Sequence, residues 1–229
     1  MKNLIIASTS TLHGGGYLDY ILPELKIHFA SCKSIVFIPF ARPGGISHQE
    51  YTSKVSEAFA KINIDVKGLH EFENPKKAIQ EANGIFTGGG NTFLLVAQLY
   101  KFDVMNTLAG TSAGSNITGL TMQTTNDMPI IYPPSFQTLG MLPFNLNPHY
   151  LDPDTSSKHM GETRETRIKE YHAFNNVPVL GLREGSWLDV KGNTIILKGT
   201  LHARIFRRNI SAEEVASGTD LSDLGSLEL

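Results

Sequence analysis

Through the first ninety residues, short β-branched runs alternate with helical patterns, and this alternation restricts the fold more than any other feature of the chain. Residues 3–8, 34–40, 64–69 and 84–87 read as strands, several of them apolar on both faces. Residues 18–29, 48–61 and 75–82 read as helices, the last with Asn74 as N-cap and Pro75 at its first position. A strand that is apolar on both faces must be covered on both. The pattern therefore predicts an α/β domain whose sheet is mostly parallel, with helices on both faces. Ligands of such sheets collect at the carboxyl ends of the strands, which selects the loops to inspect.

Those loops are rich in glycine. Thr11-Leu12-His13-Gly14-Gly15-Gly16 follows the first strand and Gly88-Gly89-Gly90-Asn91 follows the fourth. Gly110-Thr111-Ser112-Ala113-Gly114 follows the apolar stretch 104–109 and spells G-x-S-x-G. That is the pattern of a nucleophile elbow, a sharp strand-to-helix turn that crowds the backbone and exposes a serine. It also aims the following amides at the place where an oxyanion would form. Neither triple-glycine run carries the Lys-Ser/Thr of a P-loop, and neither has dinucleotide-binding spacing, so no cofactor is expected.

At 229 residues the chain is long enough for one large domain that folds without disulfide or metal. Cys32, its only cysteine, excludes an internal disulfide framework and a multi-cysteine zinc site. It reads as a packed strand residue. No N-terminal run resembles a signal peptide and no apolar stretch has membrane-spanning length, so a soluble cytoplasmic protein is expected. A net charge of −2 gives no electrostatic case for nucleic acid. The charge is uneven, because the five acids beyond Arg208 are accompanied by no base. The expectation is a single domain over 1–208 and a solvated acidic tail over 209–229.

A serine hydroxyl needs a base within hydrogen-bond reach. His28, His48, His70, His159, His172 and His202 fall on or beside predicted helices or strand ends and read as surface residues, whereas His13 lies in the first glycine-rich turn. His149 follows Asn147-Pro148 at the end of an apolar run, where a loop at the sheet edge is expected. A carboxylate must then fix its tautomer. Asp127 gives the order Ser…Asp…His and Glu184, after the strand 177–182, gives Ser…His…Glu; both satisfy the chemistry. A charged helix is expected from Gly161 to about Phe174, a hairpin over 189–197 and an edge strand over 203–208.

Ser8-Thr9-Ser10-Thr11-Leu12, Phe37-Ile38-Pro39-Phe40-Ala41, Gly88-Gly89-Gly90-Asn91-Thr92-Phe93, Thr111-Ser112-Ala113-Gly114, Thr125-Asn126-Asp127-Met128-Pro129, Asn147-Pro148-His149 and Gly161-Glu162-Thr163-Arg164 together resemble the peptidase E family. These aspartyl dipeptidases are related to cyanophycinase, and the similarity spans nearly all of 1–208 with the motifs in order. The resemblance implies a fold like the class I glutamine amidotransferases (flavodoxin-like) and hydrolysis of dipeptides with an N-terminal aspartate. It implies Ser112 as nucleophile and His149 as general base, with Asp127 or Glu184 behind the histidine. It further implies an oxyanion hole from the backbone of Ala113 and one of Gly88, Gly89 and Gly90. Arg164 becomes a candidate for the substrate's β-carboxylate, because a guanidinium binds a carboxylate through two parallel hydrogen bonds. The competing reading makes it a helix-start arginine paired with Glu162 or Glu165. The implied partner is a small Asp-X peptide, with no nucleic acid and no membrane, and a homodimer stays open.

One departure from the family pattern stands out. Only 21 residues separate Gly90 from Ser112, about ten fewer than the resemblance leads one to expect. A helix from Thr92 to about Tyr100 and a short strand 104–108 fit that length. The tight fit keeps two alternatives open beside the dipeptidase: an aspartyl-peptide binding module with little or no activity, and a cyanophycinase-like β-aspartyl peptidase.

Overall fold

The computed structural model describes residues 2–108, 114–153 and 161–226. Its elements run β1 (Asn3–Ala7), α1 (Leu22–His28), β2 (Ser34–Ile38), α2 (His48–Ala60), β3 (Asp65–Gly68), α3 (Pro75–Glu81), β4 (Ile85–Thr87), α4 (Thr92–Lys101), β5 (Asn145–Pro148), α5 (Arg164–Phe174), β6 (Val179–Leu182), β7 (Ser186–Lys191), β8 (Thr194–Gly199), β9 (Ala203–Arg207) and β10 (Ile210–Val215). The α/β class expected from the alternation holds.

β2 shows why helices cover both faces. Successive side chains of a strand point to opposite sides. Ile35 and Phe37 join one apolar cluster with Leu25, Val55 and Phe59 of α1 and α2. Val36 and Ile38 join the other, with Leu95 and Leu99 of α4. β2 pairs in parallel with β3 on one side and β4 on the other. Helix ends follow local chemistry: Asn74 caps α3 by accepting from Lys77 N–H at 3.0 Å, and Ser47 and Glu50 form a capping box that starts α2.

The second half mixes directions. β5 and β6 are parallel, whereas β6–β9 and β9–β10 are antiparallel. β7 and β8 form the expected hairpin, turning at Gly192. β1, which the sequence places with the parallel strands, pairs antiparallel with β7. Among the described residues the strands group as β3-β2-β4, β1-β7-β8 and β10-β9-β6-β5.

Two expectations need correction. Residues 104–108 form no strand but a turn, in which the Val104 carbonyl accepts from Thr107 and Leu108 N–H. The acidic segment after Arg208 is not a solvated tail along its described length. β10 pairs with β9, the Leu221 N–H donates to the Ile195 carbonyl at 2.7 Å, and Val215, Leu221 and Leu224 are buried. Its described acids lie outward while its apolar residues recur at spacings that reach the core, so the charge count hid an amphipathic segment. Two histidines expected at the surface are at least half-buried. His172 is buried, with Nε2 3.1 Å from the Val177 carbonyl, and His28 lines the cavity described next. Cys32 is half-buried against the cluster beneath α1.

Candidate active site

The carboxyl ends of β1, β4 and β5 border a cavity of about 340 Å³. Gly88, Gly89, Gly90, Ser115, Asp127 and His149 are among the residues that line it. Ser112 and Ala113 lie outside the described residues. The chain on their carboxyl side is placed: the Ser115 hydroxyl donates to the Ala7 carbonyl. A Cβ on Gly114 would sit 3.3 Å from the Thr87 Cγ2. Residues 114 and 115 therefore lie between the ends of β1 and β4.

His149 follows β5 with a left-handed backbone, φ 51°. Ser8, at the end of β1, holds it there. The Ser8 hydroxyl accepts the His149 N–H at 2.9 Å and donates to the Leu182 carbonyl at 2.6 Å. The His149 ring reaches Glu184, with Nδ1 2.7 Å from Oε1. β5 and β6 are neighbours in parallel register, with Pro148 opposite Leu182, so residues just beyond their ends meet. Tyr20 lies beside this carboxylate. Its hydroxyl is pushed up to about 12, by burial first and by Glu184 second, and donates to the Thr9 carbonyl at 2.6 Å.

Asp127 is engaged elsewhere. Its Oδ2 accepts from the Thr92 N–H at 2.7 Å, the Thr92 hydroxyl at 2.6 Å and the Thr125 hydroxyl at 3.1 Å. It therefore serves the N-terminus of α4, where a negative charge is favoured. Of the two acids the sequence left open, Glu184 is the one at hydrogen-bond distance from His149 among the described residues. Neighbouring amides fix the loop: Asn126 donates to the Pro148 carbonyl at 2.6 Å, and Asn147 donates to Asn126 at 2.7 Å.

The glycine turn has defined reasons for its residues. Gly90 has φ 148°, and a Cβ there would lie 2.3 Å from the Ala41 carbonyl oxygen; a Cβ on Gly88 would strike the Tyr51 ring at 2.8 Å. Gly88 is corrected as an oxyanion donor, because its N–H is already given to the Ile38 carbonyl at 3.0 Å. Gly89 and Gly90 remain.

Arg164 is the first residue of α5, after the Thr163 cap. Burial and then Arg167 hold its guanidinium below the usual value, while Asp127 acts in the opposite sense. Asp127 lines the cavity, whereas Arg164 is not among the described residues that line it. The two acids it was expected to pair with face other bases: Glu162 lies 3.7 Å from Arg167. Glu165 lies 2.8 Å from Lys169 and 3.2 Å from Arg204. His13 is exposed in the first glycine-rich turn. Among the described residues no group of three or more His, Cys, Asp or Glu side chains is arranged to hold a metal, and no helix is long and apolar enough to cross a membrane.

The sequence pattern of Peptidase family S51 matches residues 4–198. The chain belongs to this family. It is a serine peptidase by that membership. Peptidase E of Streptomyces coelicolor is 46% identical, the match covering 97% of this chain and 94% of the relative. A Drosophila melanogaster protein named probable alpha-aspartyl dipeptidase is 41% identical, covering 97% of both. The Streptomyces alignment runs over 232 positions while covering 97% of a 229-residue chain, so it includes positions with no counterpart here. Among solved structures, a peptidase from an acI-B1 Actinobacterium has the same fold, with a TM-score of 0.66 at 13% identity over 96% of each chain. A Listeria monocytogenes EGD-e protein assigned to peptidase E gives 0.64 at 19% identity, over 87% of this chain and 99% of that one.

Proposed function

We propose that this S51 peptidase hydrolyses dipeptides with an N-terminal aspartate through an acyl-enzyme on Ser112. The observation that carries the reading is the His149–Glu184 pair at 2.7 Å, held at the edge of a cavity bordered by a glycine turn. A carboxylate on Nδ1 leaves Nε2 as the atom that takes the serine proton, and stabilises the imidazolium that forms. The proton then passes to the leaving amine, and a second cycle with water frees aspartate. The N–H groups of Gly89 or Gly90 and Ala113 receive the developing oxyanion, each donor contributing about 3 kcal/mol. Arg164 receives the β-carboxylate and supplies the preference for aspartate. Relatives named peptidase E and alpha-aspartyl dipeptidase support the same substrate class. The setting is cytoplasmic.

The turn at 104–108 favours a second reading, a binding module that retains Asp-X peptides with little turnover. Asp-Leu, Ala-Leu, Glu-Leu and β-Asp-Leu separate the two. The enzyme reading expects Asp-Leu to be cleaved, the others to lag, and Ser112→Ala to lose at least about a thousandfold in kcat. Equal turnover by Ser112→Ala rejects the nucleophile. Calorimetric binding of Asp-Leu without product selects the binding module, and faster cleavage of β-Asp-Leu selects the cyanophycinase-like specificity.

A further inference from the structure

A dipeptide differs from the start of a longer peptide by one group, the free carboxylate on its second residue. That carboxyl carbon lies three covalent bonds from the scissile carbonyl carbon, so its receptor must stand beside the oxyanion donors. The chain places a cation there. Arg42 lines the same cavity as Gly89, Gly90 and His149. Its neighbour Ala41 is bonded directly to the glycine turn, since the Ala41 carbonyl accepts the Asn91 N–H at 2.7 Å and lies against Gly90. The Arg42 guanidinium sits over the Tyr51 ring, 5.3 Å from its centre. The Tyr51 hydroxyl in turn donates to the Gly89 carbonyl at 3.2 Å. One aromatic side chain thus supports both the cation and the turn, which fixes their spacing.

The surroundings suit an anion. Among the described residues no carboxylate lies within ion-pair distance of Arg42. Tyr17 lines the cavity too, and its hydroxyl is buried without a hydrogen-bond partner among the described groups. Burial first, and Tyr51 second, push that hydroxyl well above its ordinary range, so it stays protonated beside Arg42. Neither Arg42 nor Tyr17 belongs to a recognisable sequence motif.

We infer that Arg42, stacked on Tyr51 at the glycine turn, binds the free α-carboxylate of the second substrate residue and so restricts the site to dipeptides. This rests on the Asp-X reading above. It assigns the two arginines to opposite ends of the substrate, Arg164 to the aspartate side chain and Arg42 to the free terminus. Amidation of that terminus or its extension by a residue removes the charge Arg42 reads.

The test compares Asp-Leu with Asp-Leu amide in wild type, Arg42→Gln and Arg42→Lys. Arg42→Gln is expected to raise KM for Asp-Leu about ten- to a hundredfold, the loss of a charge-assisted pair. It should leave KM for the amide within about twofold, and Arg42→Lys should recover part of the loss. Titration of both ligands into Ser112→Ala protein, with and without Arg42→Gln, reads binding apart from turnover. Loss of discrimination in the double variant supports the assignment. If Asp-Leu binds and Arg42→Gln weakens both ligands equally, or neither, the inference about Arg42 fails while the Asp-X reading stands. If Asp-Leu does not bind Ser112→Ala protein at all, the Asp-X reading fails and takes this one with it.

Discussion

Two carboxylates that look interchangeable in the sequence have different duties in the fold. Asp127 and Glu184 both lie in loops, and either chain order would serve a triad. What separates them is three-dimensional: β5 and β6 are parallel neighbours, so His149 and Glu184 emerge side by side. Asp127 instead folds over the first turn of α4 and collects three donors. Strand adjacency is absent from local sequence, which explains why sequence alone left both acids open beside His149. Glu184→Gln is therefore expected to cut kcat on Asp-Leu by about a hundredfold or more, with the melting temperature nearly unchanged. Asp127→Asn keeps the Thr92 contacts but loses the charge at the helix start, and should cost about 1 kcal/mol of stability. Kinetics and thermal melts of the two variants decide it; a large kcat loss in Asp127→Asn with none in Glu184→Gln reverses the assignment.

At the level of elements, the loops after β5 and β6 are held by a clamp built on the residue before Glu184. Arg183 donates to both oxygens of Asp152, from Nε and Nη2, each at 2.8 Å. It also donates to the His202 carbonyl at 2.8 Å and pairs with Glu214 on β10. Those bonds hold its guanidinium well above the usual range, and Arg183 holds the Asp152 carboxyl below its own. The strand ending at Leu182 was readable as an apolar run; the clamp was not, because its acids come from residues 31 positions away on either side. It also gives the acidic segment a structural task, since Glu214 reaches back across β9 to the site. Arg183→Met leaves Asp152 and Glu214 without that partner. Both acids are about half exposed, so solvent screens part of the loss, and about 1–2 kcal/mol is expected. That corresponds to a fall in melting temperature of roughly 2–8 °C. The kcat for Asp-Leu should fall more than KM changes, because the His149–Glu184 pair loses its support. Arg183→Lys should not restore it, lacking the two-pronged geometry. An unchanged melt together with unchanged kcat rejects the clamp.

On the scale of the whole molecule, strand and helix alternation foretold the fold class, and runs apolar on both faces foretold that helices would cover both. It could not foretell how the strands would be joined. β1 and β4 each pair on one side only among the described residues, and residues 114 and 115 lie between their carboxyl ends. The sequence suggested that 104–108 would supply a strand on the way to the serine. The chain instead leaves α4 through Asp103 in a left-handed conformation, φ 53°. The Asp103 N–H returns to the Tyr100 carbonyl and the Val104 N–H to that of Leu99, each at 3.0 Å. This is a Schellman termination, and it reverses the chain at the point where an extended strand would have to begin. Of the ten residues from Val104 to Ala113, the first five are taken up by this turn, which leaves five for any extended run before Gly114. A longer crossover removes that conflict. A chimera in which residues 102–108 are replaced by a segment about ten residues longer and rich in β-branched residues should let a strand enter between β1 and β4 and satisfy both edges. A few added strand hydrogen bonds at about 1 kcal/mol each outweigh the small entropic cost of the longer connection. The melting temperature should therefore rise by roughly 6–12 °C. Because a misplacement near 1 Å costs about a hundredfold in rate, kcat for Asp-Leu should rise at least about tenfold, while Arg42-dependent discrimination against Asp-Leu amide persists. A chimera that gains neither stability nor turnover would show that the short crossover already delivers Ser112 to His149, and that the open edges of β1 and β4 place no limit on this peptidase.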